Sequence, residues 1–248
     1  MTKPVPRTFP ILLAASFMLA APGCTQGQGG VTSETRDFSD PAHAQFARAV
    51  RSGDETLARE LLAAGANPNA TDEAGTPLLQ WAMRQRDRGA VTLLLALGAD
   101  PSRPDAKGRT AMHEAAMAAH GDWIEQLLDH GVAVDIPNAI NGQTPLYDAL
   151  RAREPDNIER LLEAGARLDV SDRSGTTPLH QAALVNDLPS VRRFLEAGAD
   201  PAARDATGAT VGSYLYDGDP AILTAAVRRD LEWIRARLAG NGPGPAPQ

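Results

Sequence analysis

Residues 175–200 read GTTPLHQAALVNDLPSVRRFLEAGAD, and their pattern decides the fold. Thr177 suits a helix N-cap, because its hydroxyl can accept from an early backbone N–H. Pro178 fits the first helical turn, where its missing N–H costs nothing. Ala182 and Ala183 are small enough for a second helix to pack close. That second helix is predicted over about 190–197, with Val191, Phe194 and Leu195 on one face at helical spacing. Gly198 then supplies a left-handed C-cap. The next stretch, ADPAARDATG, is rich in turn formers and predicts a loop or hairpin. One such unit cannot bury its apolar face alone, whereas a stack of them buries a continuous core.

The unit recurs. Gly65, Gly98, Gly131, Gly165 and Gly198 open GA or GV pairs at spacings of 33, 33, 34 and 33. Before each glycine stand Leu61-Leu62, Leu94-Leu95, Leu127-Leu128, Leu161-Leu162 and Phe194-Leu195. A second series runs in step: GTPLLQWA from Gly75, GRTAMHEAA from Gly108, GQTPLYDAL from Gly142 and GTTPLHQAA from Gly175. A period of this length marks a stacked solenoid.

These motifs resemble ankyrin repeats, whose T-P-L-H-x-A-A and L-L-x-x-G-A patterns recur here in one register over residues 41–238. The resemblance implies an all-α solenoid of about four full repeats plus degenerate N- and C-terminal caps. The units fall at about 41–70, 72–102, 105–135, 139–169, 172–202 and 205–238, inside a domain spanning 38–238. The first unit keeps LARELLAAGANPNA without T-P-L-H and reads as an N-terminal cap. The last keeps Gly208 and Thr210, then loses the pattern at VGSYLY, leaving LEWIRARL as a final amphipathic helix. In the unit from Gly75, Leu79 is read at the His position and Trp81 where a small Ala is usual. One extra residue is expected between its helices, so its first helix should stand off or Trp81 should point into a gap. In the unit from Gly142, Tyr147 takes the His position. His113 and His180, fourth in their motifs, are implied to tether neighbouring hairpins rather than to react.

Outside the repeats the chain changes character. Lys3 and Arg7 precede an apolar run from Phe9 to Ala21, too short to span a bilayer at roughly 20 residues and suited to a signal h-region. Residues 1–23 therefore read as a signal peptide. Cys24, the one cysteine of the 248 residues, follows LAAPG, which resembles the end of a bacterial lipoprotein signal. The resemblance implies lipidation of Cys24 and a place on the periplasmic face of a membrane, reached only through that lipid. Cleavage by ordinary signal peptidase, giving a soluble periplasmic protein, is the alternative. Residues 24–37 read as a disordered tether and 239–248, AGNGPGPAPQ, as a disordered tail.

The formal charge is −7, and loss of Lys3 and Arg7 with the signal makes it two units more negative. That balance disfavours nucleic acid as a partner. The histidines are His43, His113, His120, His130 and His180. Too scattered to converge as zinc ligands, and without a cysteine in the domain, they predict no metal. His130 is placed to meet the negative end of a helix. Counting residues leaves a Ser–His–Asp triad open, but no nucleophile elbow, phosphate loop or paired-carboxylate cleft is recognisable. The terminal Gly-rich GNGPGPAPQ has no Lys-Ser/Thr and no helix after it, and the RQRDRG cluster at 84–89 reads as a solvated face. No enzyme activity and no cofactor are expected.

What remains is recognition of another protein by a monomer. In the family, partners dock on a concave side made of hairpin tips and the exposed face of each first helix. Carried over by position, the tips are Glu73 and Ala74, Ala106 and Lys107, Ile140 and Asn141, and Arg173 and Ser174. The helix positions are Met83 and Arg84, Met117 and Ala118, Arg151 and Ala152, and Leu184 and Val185. Met83, Met117, Leu184 and Val185 read as an apolar stripe with an Arg rim, as binding grooves use. Part of the inter-repeat core is an equal reading for them. The expected role is a scaffold or stabiliser of an envelope protein, or an immunity factor against a periplasmic toxin. A structural spacer of the envelope is the alternative, with an enzyme or small-ligand binder behind it.

Overall fold

The computed structural model describes residues 38–119, 122–215 and 223–240. Among them the helices pair off along the chain: α1 (Pro41–Arg51) with α2 (Glu55–Ala63), α3 (Leu78–Arg84) with α4 (Arg88–Ala96), α5 (Ala111–Met117) with α6 (Trp123–Asp129). The pairs α7 (Pro145–Ala152) with α8 (Pro155–Glu163) and α9 (Pro178–Leu184) with α10 (Leu188–Glu196) follow. A 3-10 turn over Val211–Tyr214 and α11 (Ala225–Leu238) complete the described elements, so LEWIRARL is the second half of α11. This is the all-α repeat architecture that the periodicity predicts.

Three of the second helices, α2, α4 and α10, start on a side-chain cap. Asp54, Asp87 and Asp187 accept from the backbone N–H of Leu57, Ala90 and Ser190 at 3.0, 2.9 and 3.2 Å. Each ends with a glycine at positive φ, among them Gly98 at 85° and Gly198 at 90°. The small side chains Ala82, Ala115, Ala116, Ala149, Ala182 and Ala183 are fully buried between helices. So are the large ones that precede the glycines, Leu94, Leu127, Leu161 and Phe194. Each contributes about 2 kcal/mol by leaving water.

The loops between repeats are one turn made five times. The carboxylate of Asp72 accepts from the N–H of Ala74 and Thr76, Asp105 from Lys107 and Arg109, Asp172 from Ser174 and Thr176, and Asp205 from Thr207 and Ala209. Asn138 serves the same place, accepting from Ile140 and Asn141. The longer spacing of 34 arises here, because Asn138 stands four residues before Gly142 where each aspartate stands three before its glycine. The extra residue widens that tip and leaves Ile140 in water. Gly108, at φ 76°, is required by its neighbour: an added Cβ would lie 2.5 Å from Asn138 Oδ1 and 2.8 Å from the Ile140 nitrogen.

The unit from Gly75 corrects the sequence reading. It has the same length as its neighbours, with α3 and α4 separated as α9 and α10 are, so there is no extra residue between its helices. Pro77, not Thr76, takes the N-cap place. Gln80 therefore occupies the His position, and Leu79 is core. Ala82 and Met83 fill the small-residue places, and Trp81 neither holds α3 away nor faces a gap. Its ring meets Phe38 edge-on at 5.9 Å and 73°, and both are buried, sealing the N-terminal unit.

Ala118, which follows α5, is in extended backbone. α5 ends at Met117, and His120 and Gly121 lie outside the described residues. The carbonyls at the end of α5 are met from the next repeat instead. Buried Asn157 of α8 donates its amide to the oxygens of Ala118 at 2.9 Å and Ala116 at 3.1 Å.

Candidate interaction face

The His position is a joint between repeats. His113 Nδ1 lies 2.9 Å from Thr110 Oγ1, and its Nε2 lies 3.0 Å from the carbonyl oxygen of Gln143 in the following repeat. Gln80 makes the same reach by donating Nε2 to the oxygen of Arg109 at 2.9 Å, and the Tyr147 hydroxyl donates to that of Thr176. Three different side chains thus bond the residue just before the next helix cap. His180 repeats the inner half, with Nδ1 2.8 Å from Thr177 Oγ1. Its Nε2 is buried without a partner among the described residues. Tyr214 meets that ring edge-on at 5.9 Å, and its own hydroxyl binds Asp205. Thr144 Oγ1 is likewise buried and unpartnered, because Tyr147 brings no ring nitrogen to it. These groups hold the stack together, and burial pushes the His113 imidazole below the usual histidine range.

Four residues on from the joint, in register, stand Arg84, Met117, Arg151 and Leu184. Leu184 is 50 % exposed and Ile140 at the wide tip 57 %. Glu73, Lys107, Arg173 and Ser174 are exposed at the other tips, while Asn141 is half-buried. Met117, Ala118 and Val185 are half-buried, the last two packed on the core. Met83 takes the other reading: the register of its unit makes it core, with 4 % of it exposed, rather than part of an exposed stripe.

The polar groups of this face are wired in pairs. Arg84 Nη2 lies 3.0 Å from Glu114 Oε2 and 3.4 Å from Asp105 Oδ2, and Nη1 donates to Thr76 Oγ1 at 3.2 Å. Arg109 closes on the same Asp105 oxygen at 3.0 Å and lies 3.7 Å from Met117 Sδ. Burial opposes ionisation of Asp105, but the N–H groups and guanidinium of Arg109 outweigh it and hold the carboxyl below its ordinary range. Arg151 donates to Asp148 at 2.8 Å and to Gln143 Oε1 at 2.6 Å. Gln143 in turn donates to Asp172 at 2.9 Å. Burial raises the Asp148 carboxyl despite Arg151. His130 lies apart as the C-cap of α6, with Nδ1 2.8 Å from the Gln126 oxygen at the helix end. Among the described residues no group of His, Cys, Asp and Glu could hold a metal ion, and no helix is long and apolar enough to cross a membrane.

A family model described as ankyrin repeats (3 copies) matches residues 46–138 and 124–205. The chain belongs to the ankyrin-repeat family. Solved structures similar to this ankyrin protein include the ankyrin repeat domain of Bcl-3, a member of the IkappaB protein family. That domain is 26 % identical with TM-score 0.62, over 75 % of this chain and 81 % of that one. The human ASB11 ankyrin repeat domain is also 26 % identical, with TM-score 0.58 over 81 % and 84 %. No curated protein matches in sequence. Ankyrin repeats are in general non-enzymatic modules of protein–protein interaction.

Sequence reasoning missed Gln80, Asn157 and the Asp/Asn series of the tips. The last had a signal, a carboxylate or amide before each motif glycine at the repeat period. Asn157 had none, because its partners lie about forty residues away.

Proposed function

We propose that this protein is an exported, membrane-held binding module that takes a partner protein on its tip-and-first-helix face. The observation that carries the reading is the register of Arg84, Met117, Arg151 and Leu184, with Leu184 and Ile140 left in water beside charged neighbours. Apolar side chains half in water, rimmed by arginine, are what a protein interface buries. Export and attachment rest on Lys3, Arg7, the apolar run Phe9–Ala21 and Cys24, all outside the described residues. Lipidation would place the module on the periplasmic face of a bacterial membrane, where it acts as a scaffold for an envelope protein or as an immunity factor. One acyl chain binds a membrane only marginally, and the two or three chains of a lipidated cysteine hold firmly.

Two measurements test this. A photo-cross-linking residue at Leu184, but not one at Arg59 on α2, should join the module to a single protein in intact cells. Equal labelling from both positions, or none, would overturn the interaction face. Cys24→Ser should move the protein from the membrane to the soluble fraction, and a free Cys24 thiol on the mature chain would refute the anchor.

A further inference from the structure

The acids and bases of the interaction face are not equally presented. Asp105 keeps 5 % of its side chain in water and Asp148 4 %, whereas Arg84 keeps 34 % and Arg151 50 %. The carboxylates are also chemically spent. Asp105 accepts from the N–H groups of Lys107 and Arg109 and from two guanidiniums. Asp172 is buried and accepts from Gln143, Ser174 and Thr176. A guanidinium carries five N–H donors, more than Arg84 or Arg151 uses within the chain. Lys107 and Arg173 stand exposed at the tips beside them. From Asp105 to Asp172 the aspartates of this face lie underneath and cationic donors on top, with Glu73 the exposed acid at the first tip, on a chain whose net charge is −7. Along the row the character alternates: Arg84, Met117, Arg151, Leu184.

We infer that this face takes an acidic protein segment, with carboxylates seated on Arg84 and Arg151 and apolar side chains seated on Met117 and Leu184. The inference rests on the interaction face proposed above and names the chemistry of its occupant. Bidentate pairing of carboxylate with guanidinium supplies direction. The two apolar places supply burial, and the alternation sets the register. A partner rich in lysine would face the exposed cations and leave their donors unmet.

The test uses the whole mature chain and two labelled peptides of equal length, read by fluorescence anisotropy. One alternates Glu with Leu and the other Lys with Leu. The Glu peptide should bind at least about tenfold tighter, and its affinity should fall as salt rises, since screening weakens exposed charge pairs. The double variant Arg151→Gln/Arg173→Gln, with its melting temperature retained, should lose most of that preference, while Arg59→Gln on α2 should keep it. Equal or tighter binding of the Lys peptide would overturn the inference, as would no binding of either at about 1 mM, or full displacement by an oligothymidylate. If the Leu184 cross-link forms while the Lys peptide wins, only the acidic partner fails. If the cross-link falls elsewhere, the face itself fails.

Discussion

Two joints of the stack differ by one hydrogen bond. Between the units from Gly108 and Gly142, His113 spans from Thr110 to the Gln143 carbonyl, and both ring nitrogens are used. Between the unit from Gly175 and the C-terminal cap, His180 holds Thr177 but leaves Nε2 unmet among the described residues. The motif is the same in both donors, so the difference lies in the acceptor. After Thr210 the chain makes a 3-10 turn where the other units make a first helix, and Tyr214 closes on the ring. A joint therefore needs both units to be regular. The middle joints bear this out, since Gln80 and Tyr147 complete the bond without an imidazole.

The largest break in that comparison is His113→Leu against His180→Leu. The first strands the Thr110 cap and the Gln143 carbonyl, and unmet buried groups cost about 1–3 kcal/mol each. We expect a loss of about 3 kcal/mol in urea unfolding. His180→Leu removes one unmet nitrogen along with the contacts of Nδ1 to the Thr177 N–H and hydroxyl, and should cost about 1 kcal/mol. Equal losses would show that the outward bond of His113 contributes nothing.

A smaller effect separates charge from bonding. Burial, ahead of every other influence, lowers the His113 pKa, opposed by the Gln143 carbonyl and by Asp148 and helped by Arg109. A histidine depressed on folding contributes stability that is present above its unfolded value, near 6.5, and lost as pH falls toward the folded one. Gln80 already does the same task uncharged. His113→Gln should therefore fold nearly as well at pH 7.5 and flatten the decline as pH falls below about 6.5. The raised carboxyl of Asp148 acts in the opposite sense, favouring the fold as it takes up a proton, in both proteins. A variant declining as steeply as the parent would place the titration elsewhere.

The fold was legible because repetition multiplies weak signals: a glycine or a Leu-Leu pair says little once and much at a fixed period. The register of a single degenerate unit was not, because in GTPLLQWA the Thr-Pro pair stands one place early and invites alignment by motif rather than by length. The structure resolves it through Gln80, whose amide finds the Arg109 carbonyl. The face was half legible. Arg151 and Leu184 come from positions that the ankyrin resemblance implies, but the burial of Asp105 and Asp148 beneath their arginines depends on packing between neighbouring repeats, which no one unit encodes.

The finest contrast lies at the turns between helices. Arg86, Arg153 and Asn186 sit at the same place after α3, α7 and α9, with φ of 58°, 58° and 54°. Left-handed backbone costs an ordinary L-residue roughly 1 kcal/mol, and asparagine less. Gly53 fills the equivalent place after α1 at φ 70°, where no strain arises. Arg153 has a compensation, since its guanidinium donates to the Val185 carbonyl of the next repeat at 2.8 Å. Arg86→Gly should therefore raise stability by about 0.5 kcal/mol, the relief of strain exceeding the entropy that glycine adds to the unfolded chain. Arg153→Gly gains the same relief and loses the Val185 bond, so its melting temperature should stay level or drop. Parallel gains in both variants would mean that the bond to Val185 carries no weight in joining the two repeats.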